Sequence, residues 1–190
     1  MGRLTLILGG ARGGKSTYAQ SLAMERSQHV TYIATAQAMD EEMRTRIAIH
    51  QQERPGGWRT IEASKDIAKN LTNETLQEGV ILLDCLTMLV SNILLEAGGS
   101  EDTPDEISAV AAVEAEIISL MDAIHTSEAE WIIVSNEVGM GLVPPYPLGR
   151  LYRDLLGKTN QQIAKIADDV YLLVAGIPVP LHQFAPGSKG

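Results

Sequence analysis

Short apolar runs punctuate the chain, and longer segments with helical spacing lie between them. Each run is continuous rather than alternating, which is typical of strands that helices cover on both faces. The runs are Leu4–Leu8, Val30–Ala34, Val80–Leu83, Trp131–Ser135 and Val170–Val174. Strands that alternate with helices predict an α/β fold with a mainly parallel sheet flanked by helices. In such sheets, ligands bind beyond the carboxyl ends of the strands.

Two of the segments between these runs carry clear helical signals. Thr103-Pro104-Asp105-Glu106 predicts a helix start, with Thr103 as the N-cap, a proline at the first helical position and a capping-box glutamate. The positions that follow, mostly three or four apart, are Ile107, Val110, Glu114, Ile117, Ile118, Met121 and Ile124. A second helix is predicted over Leu148–Ala167, and the apolar positions on one of its sides are Leu151, Leu155, Ile163 and Ile166.

Composition narrows the class of protein further. The 190 residues suit one domain with a hydrophobic core, so we expect residues 1–190 to form a single domain. The formal net charge of −9 would repel a phosphate backbone, which argues against a nucleic-acid partner. Cys85 is the single cysteine, so no intrachain disulfide can form. Without a signal peptide or an apolar run long enough to span a membrane, we expect a cytoplasmic protein.

A phosphate-binding loop follows the first predicted strand. Residues 9–16 match G-x-x-x-x-G-K-[ST], and a helix is predicted directly after them, from Ser16 to about Arg26. Glycines bring backbone N–H groups close to phosphate oxygens, and the helix N-terminus adds a partial positive charge. We expect Lys15 to reach the β- and γ-phosphates and Ser16 to hold Mg²⁺. The predicted cradle is Gly9, Gly10, Ala11, Arg12, Gly13, Gly14, Lys15 and Ser16.

Asp84 ends the apolar run that begins at Val80. A carboxylate at the carboxyl end of a buried strand is well placed to hold Mg²⁺, although a solvated strand-end carboxylate would look the same. Together, the loop and Asp84 predict a nucleoside triphosphate with Mg²⁺. They leave open a small-molecule kinase, another phosphoryl or nucleotidyl transferase, or an ATP-driven binding protein. A regulatory GTPase fits poorly, because no N-K-x-D motif follows a later strand.

A helix with basic residues is predicted after the second strand, which ends in the small residues Ala34-Thr35-Ala36. Arg46 and His50 are four residues apart and therefore share a helix face, and Arg54 continues that face before Pro55 stops the helix. This face could bind phosphates. It could equally be a solvated face whose basic residues pair with the acidic residues around them.

Four stretches together resemble a known family: GGARGGKS, YIATA, RIAIHQQERPGGWRTIE and VSNEVGMGLVP. They are similar to the motifs of the bifunctional adenosylcobinamide kinase/adenosylcobinamide-phosphate guanylyltransferases of cobalamin biosynthesis, and the resemblance extends to about Pro180. It implies a P-loop NTPase-like fold and two reactions. ATP or GTP phosphorylates the aminopropanol hydroxyl of adenosylcobinamide, and GTP then donates GMP to that phosphate, giving adenosylcobinamide-GDP and pyrophosphate. It also implies a homo-oligomer, with a trimer as one form.

The resemblance also implies roles for individual residues. The family's nucleophilic histidine corresponds to His50, which would carry GMP covalently. Attack at the α-phosphorus requires neutralisation of the triphosphate charge, and the candidates for this are Arg54 first and then Arg46. The guanosine-binding positions correspond to Ala34, Thr35, Ala36, Gln51, Gln52, Glu53, Arg54, Glu62 and Asp84. Glu62 is the expected reader of guanine, unless it is an ordinary exposed glutamate at a strand end. Gly13 and Asp84 depart from the serine and the glutamate that the family often has. The shorter side chain of Asp84 is expected to change how tightly Mg²⁺ or the nucleotide is bound.

Two further segments each allow two interpretations. Asn136 and Glu137 follow a predicted strand and could orient a hydroxyl or a metal-bound water, or Glu137 could merely cap a helix beside a glycine-rich turn. Pro144–Pro147 could form a lid or a subunit contact. For the whole protein, the alternatives to a bifunctional enzyme are a single-activity P-loop small-molecule kinase, in which His50 has no covalent role, and a non-catalytic nucleotide-binding regulator.

Overall fold

A mainly parallel sheet of seven strands forms the centre of the computed structural model, which describes residues 2–38, 41–52 and 55–184. The strand order is β3-β2-β4-β5-β1-β6-β7, and β7 runs antiparallel to β6 while the other neighbours are parallel. The strands are β1 Leu4–Gly9, β2 Val30–Ala34, β3 Arg59–Glu62, β4 Val80–Asp84, β5 Glu130–Val134, β6 Asp169–Val174 and β7 Ile177–Pro180. This architecture confirms the predicted α/β fold.

Helices fill the connections between the strands. The α-helices are α1 Lys15–Arg26, α2 Glu41–Gln52, α3 Asn73–Gln77, α4 Leu86–Ala97, α5 Glu106–Thr126 and α6 Pro147–Ile166, and the 3-10 helices are Ile67–Asn70 and Leu181–Phe184. The five predicted strands and the predicted α1 and α6 agree with the structure to within one residue at each end. None of the helices in the described ranges is long and apolar enough to cross a membrane.

The core lies on both faces of the sheet, which explains why the strand sequences are continuously apolar. Side chains of β1 alternate between the faces. Leu4, Leu6 and Leu8 pack with α4, α5 and α6 on one face, whereas Ile7 packs with Ala19 and Ala23 of α1 on the other. Burial of each of these leucine or isoleucine side chains stabilises the fold by roughly 1.5–3 kcal/mol.

The predicted start of α5 is wrong by two residues. The N-cap is Asp105, whose carboxylate accepts hydrogen bonds from the Ser108 backbone N–H at 3.1 Å and from the Ser108 hydroxyl at 2.7 Å. These hydrogen bonds hold the pKa of Asp105 below its ordinary value. Thr103 instead lies 2.6 Å from the Ser100 hydroxyl, next to a bridge between Gly99 and Pro104 that keeps the chain extended.

The buried face of α5 also differs from the predicted one. Ile107 is 85% exposed and Ile118 is 58% exposed, although both belong to the predicted apolar series. The buried positions are Ala109, Val113, Ile117, Leu120, Ala123 and Ile124. The core side of α5 is the one that packs against α4 and α6, and it includes Ala109 and Leu120, which are absent from the predicted series, but leaves out Ile107 and Ile118.

Candidate active site

One row of residues crosses the carboxyl edge of the sheet and brings distant parts of the sequence together. Ala34 at the end of β2 pairs with Glu62 of β3 on one side and with Asp84 of β4 on the other. Asp84 in turn pairs with Val134 of β5, which pairs with Ile7 of β1. Because neighbouring strands lie about 4.8 Å apart, the two carboxylate-bearing positions are two strand spacings from each other.

A cavity of about 830 Å³ opens at this row and has the size of a small-molecule site. It gathers most of the residues that the sequence predicts to bind nucleotide: Ala11, Arg12, Gly13, Gly14, Lys15, Ser16, Ala34, Ala36, Gln51, Glu62 and Asp84. Gly9, Gly10 and Thr35, which carry the same prediction, lie outside the lining. Tyr32, Cys85 and Met88 line the cavity as well. Tyr32 belongs to the YIATA stretch, where no role was predicted for it, and Cys85 and Met88 match no motif.

The phosphate loop has a backbone shape that glycine makes accessible. Gly14, at the N-cap of α1, is left-handed with φ of 85°, and an added Cβ there would lie 3.2 Å from the Gly176 Cα. The Gly13 N–H donates to the Gly10 carbonyl at 3.2 Å, which closes the turn. The first turn of α1 carries no acidic residue, so its N-terminal partial charge remains available to an anion.

Lys15 is held inside this loop. Its Nζ donates to the Gly10 carbonyl at 2.7 Å, and the residue is only 8% exposed. Burial lowers the pKa of Lys15, and the negative charge of Asp84 opposes that shift. An anionic ligand in the loop would favour the charged ammonium in the same way as Asp84 does.

The Asp84 carboxylate is oriented by a neighbour from β2. The Tyr32 hydroxyl donates to Asp84 Oδ2 at 2.9 Å, and the Tyr32 ring lies 6.2 Å from the ring of Trp58. Asp84 and Ser16 line the same cavity. Mg²⁺ is typically bound by one or two carboxylates together with water and substrate phosphates, so this sparse oxygen set fits a nucleotide-bound magnesium ion. The described part of the chain contains no cluster of three or more His, Cys, Asp or Glu residues that could hold a metal without nucleotide.

Cys85 lies beside Asp84 and is a second potential nucleophile on the cavity wall. Burial raises the pKa of its thiol to about 11. A thiol with that pKa stays protonated at neutral pH, so the structure disfavours Cys85 as the attacking group.

The far end of the cavity is formed by α2 and β3. Gln51 Nε2 donates to Glu62 Oε1 at 3.1 Å, and both side chains are exposed at the cavity wall. The structure therefore brings together two residues that the family resemblance had placed at the guanosine site. Glu62 is exposed, as its alternative interpretation expects, but it also lines the cavity.

The basic face predicted on α2 is described only in part. The backbone places His50 immediately before Gln51 in the helix. The side chains of Arg46, His50 and Gln52, together with residues Glu53 and Arg54, lie outside what the structure describes. Elsewhere on α2, the exposed side chain of Arg44 forms a 3.0 Å ion pair with Glu41, three residues before it.

A buried clamp joins the ends of β2, β3 and β4 behind the cavity. The Thr35 hydroxyl donates to the Cys85 carbonyl at 2.8 Å and accepts from the Cys85 N–H at 2.7 Å. Asn92 Nδ2, on α4, donates to the Thr35 carbonyl at 2.8 Å and to the Ser64 carbonyl at 3.0 Å. Thr35 is fully buried, so its side chain serves this clamp rather than the cavity surface. The sequence offered no signal for Asn92, which sits within a largely apolar segment.

A second network fixes the strand end after β5. The Asn136 N–H donates to the Thr87 hydroxyl at 2.8 Å, and its carbonyl accepts from Asn160 Nδ2 at 3.0 Å. Asn136 lines the cavity, as one of its two interpretations expects. Glu137 instead accepts the Gly139 N–H at 2.9 Å, so it shapes the glycine-rich turn and lies outside the lining of this cavity.

A glycine-rich phosphate loop between the first strand and first helix, with a strand-end carboxylate on the same cavity, defines a P-loop nucleotide-binding protein of the α/β class. The model of the family described as cobinamide kinase / cobinamide phosphate guanyltransferase matches residues 5–181. The chain therefore belongs to this family, and the resemblance inferred from its motifs is confirmed.

Individual relatives agree with this assignment. The bifunctional adenosylcobalamin biosynthesis protein CobU of Escherichia coli (strain K12) is 44% identical over 181 residues, which cover 94% of this chain and 99% of that protein. The bifunctional adenosylcobalamin biosynthesis protein CobP of Pseudomonas aeruginosa is 42% identical over 176 residues, covering 93% and 95%. Among solved structures, the RadB recombinase aligns with a TM-score of 0.46 at 13% identity, over 90% of this chain and 73% of that one.

Proposed function

We propose that this protein phosphorylates adenosylcobinamide with ATP or GTP and then transfers GMP from GTP to adenosylcobinamide phosphate, a step of cobalamin biosynthesis. The products of the second reaction are adenosylcobinamide-GDP and pyrophosphate. The observation that carries the proposal is a single cavity that joins the phosphate loop, Asp84 and the Gln51–Glu62 pair. One bound triphosphate could therefore span from Lys15 to a base beside Glu62.

In the kinase reaction, the loop N–H groups and Lys15 neutralise the charge on the β- and γ-phosphates. The aminopropanol hydroxyl attacks the γ-phosphorus, the nucleoside diphosphate leaves, and the hydroxyl proton is released to solvent. Mg²⁺ bound to the triphosphate, Ser16 and Asp84 would supply further charge neutralisation. The Tyr32 hydroxyl fixes the orientation of the Asp84 carboxylate by donating a hydrogen bond to its Oδ2.

In the guanylyl transfer, His50 is the proposed nucleophile. Its imidazole attacks the α-phosphorus of GTP and expels pyrophosphate. The phosphate of the acceptor then displaces the imidazole and takes GMP. A covalent intermediate divides one difficult displacement into two, and a neutral imidazole is a suitable nucleophile near pH 7. The proposal places Gln52, Glu53 and Arg54 on the same nucleotide, and Glu62 at the guanine.

The cellular setting is inferred with the function. Because ATP and GTP are the donors, we infer that the enzyme works in the cytoplasm, with adenosylcobinamide and its phosphate as acceptors and with no nucleic-acid partner. We also infer a homo-oligomer, with a trimer as the candidate assembly. Light scattering on the purified protein measures the mass of the assembly, and a monomer would contradict this inference.

The decisive test is the intact mass of the protein after incubation with GTP and Mg²⁺ in the absence of corrinoid. We expect a mass gain of one GMP that is lost on brief acid treatment and does not appear in His50→Ala. His50→Ala should retain kinase activity. Phosphorylation of adenosylcobinamide without a protein–GMP adduct would favour the single-activity kinase, and nucleotide binding without any turnover would favour the regulator.

A further inference from the structure

A second cavity lies on the other side of the β5 strand end and has no role in the chemistry described above. Its volume is about 710 Å³, and it lies between the carboxyl end of β1, the start of α5 and one side of α6. Its apolar wall is formed by Leu8, Val110, Leu151, Leu155 and Ala164. Its polar wall consists of Glu106, Glu137, Arg153, Asp154, Lys158, Asn160 and Gln161.

Consecutive residues connect this second cavity to the nucleotide cavity. Asn136 lines the nucleotide cavity, and Glu137, the next residue, lines the second one. The Glu137 N–H also donates to the carbonyl of Gly9, the residue at which the phosphate loop begins, at 3.1 Å. Since adjacent Cα atoms are 3.8 Å apart, the two cavities are neighbours beside the phosphate loop.

Asn160 holds the chain segment between the two cavities in place. It is 5% exposed, accepts a hydrogen bond from the Ser135 hydroxyl at 2.6 Å and donates one to the Asn136 carbonyl at 3.0 Å. The same residue lines the second cavity. A ligand in the second cavity would therefore touch the amide that positions Asn136 against the nucleotide.

An exposed apolar loop extends from the rim of the second cavity. Gly139 lines the cavity, and the residues that follow expose Met140 by 80%, Leu142 by 96% and Val143 by 63%. Arg150 holds this loop in place by donating to the Pro144 carbonyl at 3.1 Å and to the Pro145 carbonyl at 2.8 Å. An ordered loop that presents several apolar side chains to solvent is typical of a ligand or partner contact.

We propose that the second cavity and the loop from Met140 to Val143 form the binding site for the corrinoid acceptor. The proposal rests on the proposed function, which requires a second substrate beside the phosphate loop. The acceptor is a large amphiphilic macrocycle edged with carboxamides. Its apolar body would lie on the loop, and its amide arms would bond to the polar wall around Asn160 and Gln161. The reacting arm would then pass Asn136 and Glu137 into the nucleotide cavity.

Gly157 provides a position at which a side chain can be added to the wall of the second cavity. It lies on the cavity wall, and an added Cβ there would meet no heavy atom within 4 Å. We expect Gly157→Trp to raise the KM for adenosylcobinamide at least about tenfold, equal to about 1.4 kcal/mol of lost binding. The KM for ATP and the yield of the GMP adduct, which needs no acceptor, should stay unchanged. Gly157→Leu provides a smaller obstruction, and Lys165→Trp places the same ring on an exposed position of α6 outside the cavity.

The loop is tested with a matched pair of exposed apolar residues. Leu142→Ser should raise the KM for adenosylcobinamide, whereas Ile118→Ser, on the exposed face of α5, should not. Binding of adenosylcobinamide to nucleotide-free protein, followed by its visible absorbance, measures the same site without turnover. Two results together would separate the proposals. If the wild-type protein formed no GMP adduct but still bound adenosylcobinamide more tightly than Gly157→Trp does, the guanylyl transfer would be refuted and the acceptor site would stand.

Other results would overturn the acceptor site itself. If Gly157→Trp and Leu142→Ser left the KM and the affinity for adenosylcobinamide unchanged, the second cavity and its loop would not be the acceptor site. Loss of adduct formation together with acceptor binding in the Gly157 variants would mean that the substitution acts on the nucleotide site. If Leu142→Ser lowered the mass of the assembly by light scattering but left acceptor binding intact, the loop would be a subunit contact.

Discussion

The two ends of the nucleotide cavity are built in different ways. At the phosphate end, backbone groups and a nearly buried lysine form the site, and a left-handed glycine sets the loop. At the α2–β3 end, two exposed side chains, Gln51 and Glu62, bond to each other across 3.1 Å. Water competes with exposed side chains but has little access to the loop interior. The phosphate end is therefore preorganised for charge, whereas the other end can be adjusted to a particular base.

Lys15→Ala should produce the largest effect, because it removes the preorganised cation. We expect kcat of both reactions to fall by roughly 10²–10³-fold, the loss typical for one charge-stabilising donor at an active site. Steady-state assays of phosphorylation and of GMP transfer measure this. Lys165→Ala, on an exposed position of α6, is the matched control. A normal rate in either reaction would mean that the two reactions do not share the loop.

Tyr32→Phe tests whether the phosphate end of the cavity is also preorganised at the position expected for Mg²⁺. It keeps the ring beside Trp58 but removes the hydroxyl that holds Asp84. A hydrogen bond to a charged group contributes about 1.5–3 kcal/mol. We therefore expect GTP binding with Mg²⁺ to weaken by about tenfold to a hundredfold, while binding in the presence of EDTA stays the same. A fluorescent GTP analogue measures both affinities.

The control for that experiment is Tyr18→Phe, since Tyr18 packs edge-on against Tyr171 outside the cavity. An equal loss of affinity with and without Mg²⁺ in Tyr32→Phe would show that the hydroxyl acts on the nucleotide or the fold instead of the metal position.

Asn92→Leu should weaken the buried clamp that joins the ends of β2, β3 and β4 behind the nucleotide cavity. It leaves the Thr35 and Ser64 carbonyls without their amide donor, and an unsatisfied buried polar group costs about 1–3 kcal/mol. The free energy of unfolding, measured by urea denaturation, should fall by about that amount, and the KM for GTP should rise. Asn70→Leu, at an exposed asparagine, is the control. Unchanged stability would mean that water replaces the amide.

Gln51→Ala should give the smallest effect. An exposed neutral hydrogen bond contributes about 0.5 kcal/mol, so we expect the preference for GTP over ATP to fall by about two- to threefold. Competition binding with the two nucleotides measures this ratio. A loss as large as that of Lys15→Ala would show that the α2–β3 end is as preorganised as the phosphate end.

Elements that depend on local pattern are predictable from this sequence, whereas elements that depend on neighbours from elsewhere in the chain are not. Helix α4 is not predicted, because Leu86–Ala97 is apolar on most sides and shows no helical face. Strand β3 is not predicted, because its four residues are mostly exposed and carry no apolar run. Thr103 satisfied the capping pattern, yet the bridge from Gly99 to Pro104 moved the start of α5 to Glu106.

By itself, the sequence determined the buried strands, the phosphate loop and the family, because apolar runs, glycine spacing and shared motifs are properties of contiguous residues. The tertiary structure alone decided which side chains meet. The row of Glu62, Ala34 and Asp84 follows from strand order, and the Tyr32–Asp84 hydrogen bond joins residues 52 positions apart. The Asn92 clamp and the second cavity follow from the packing of α4 and α6 on the sheet. Contacts over such separations form only when the whole sheet is assembled, and local periodicity carries no record of them.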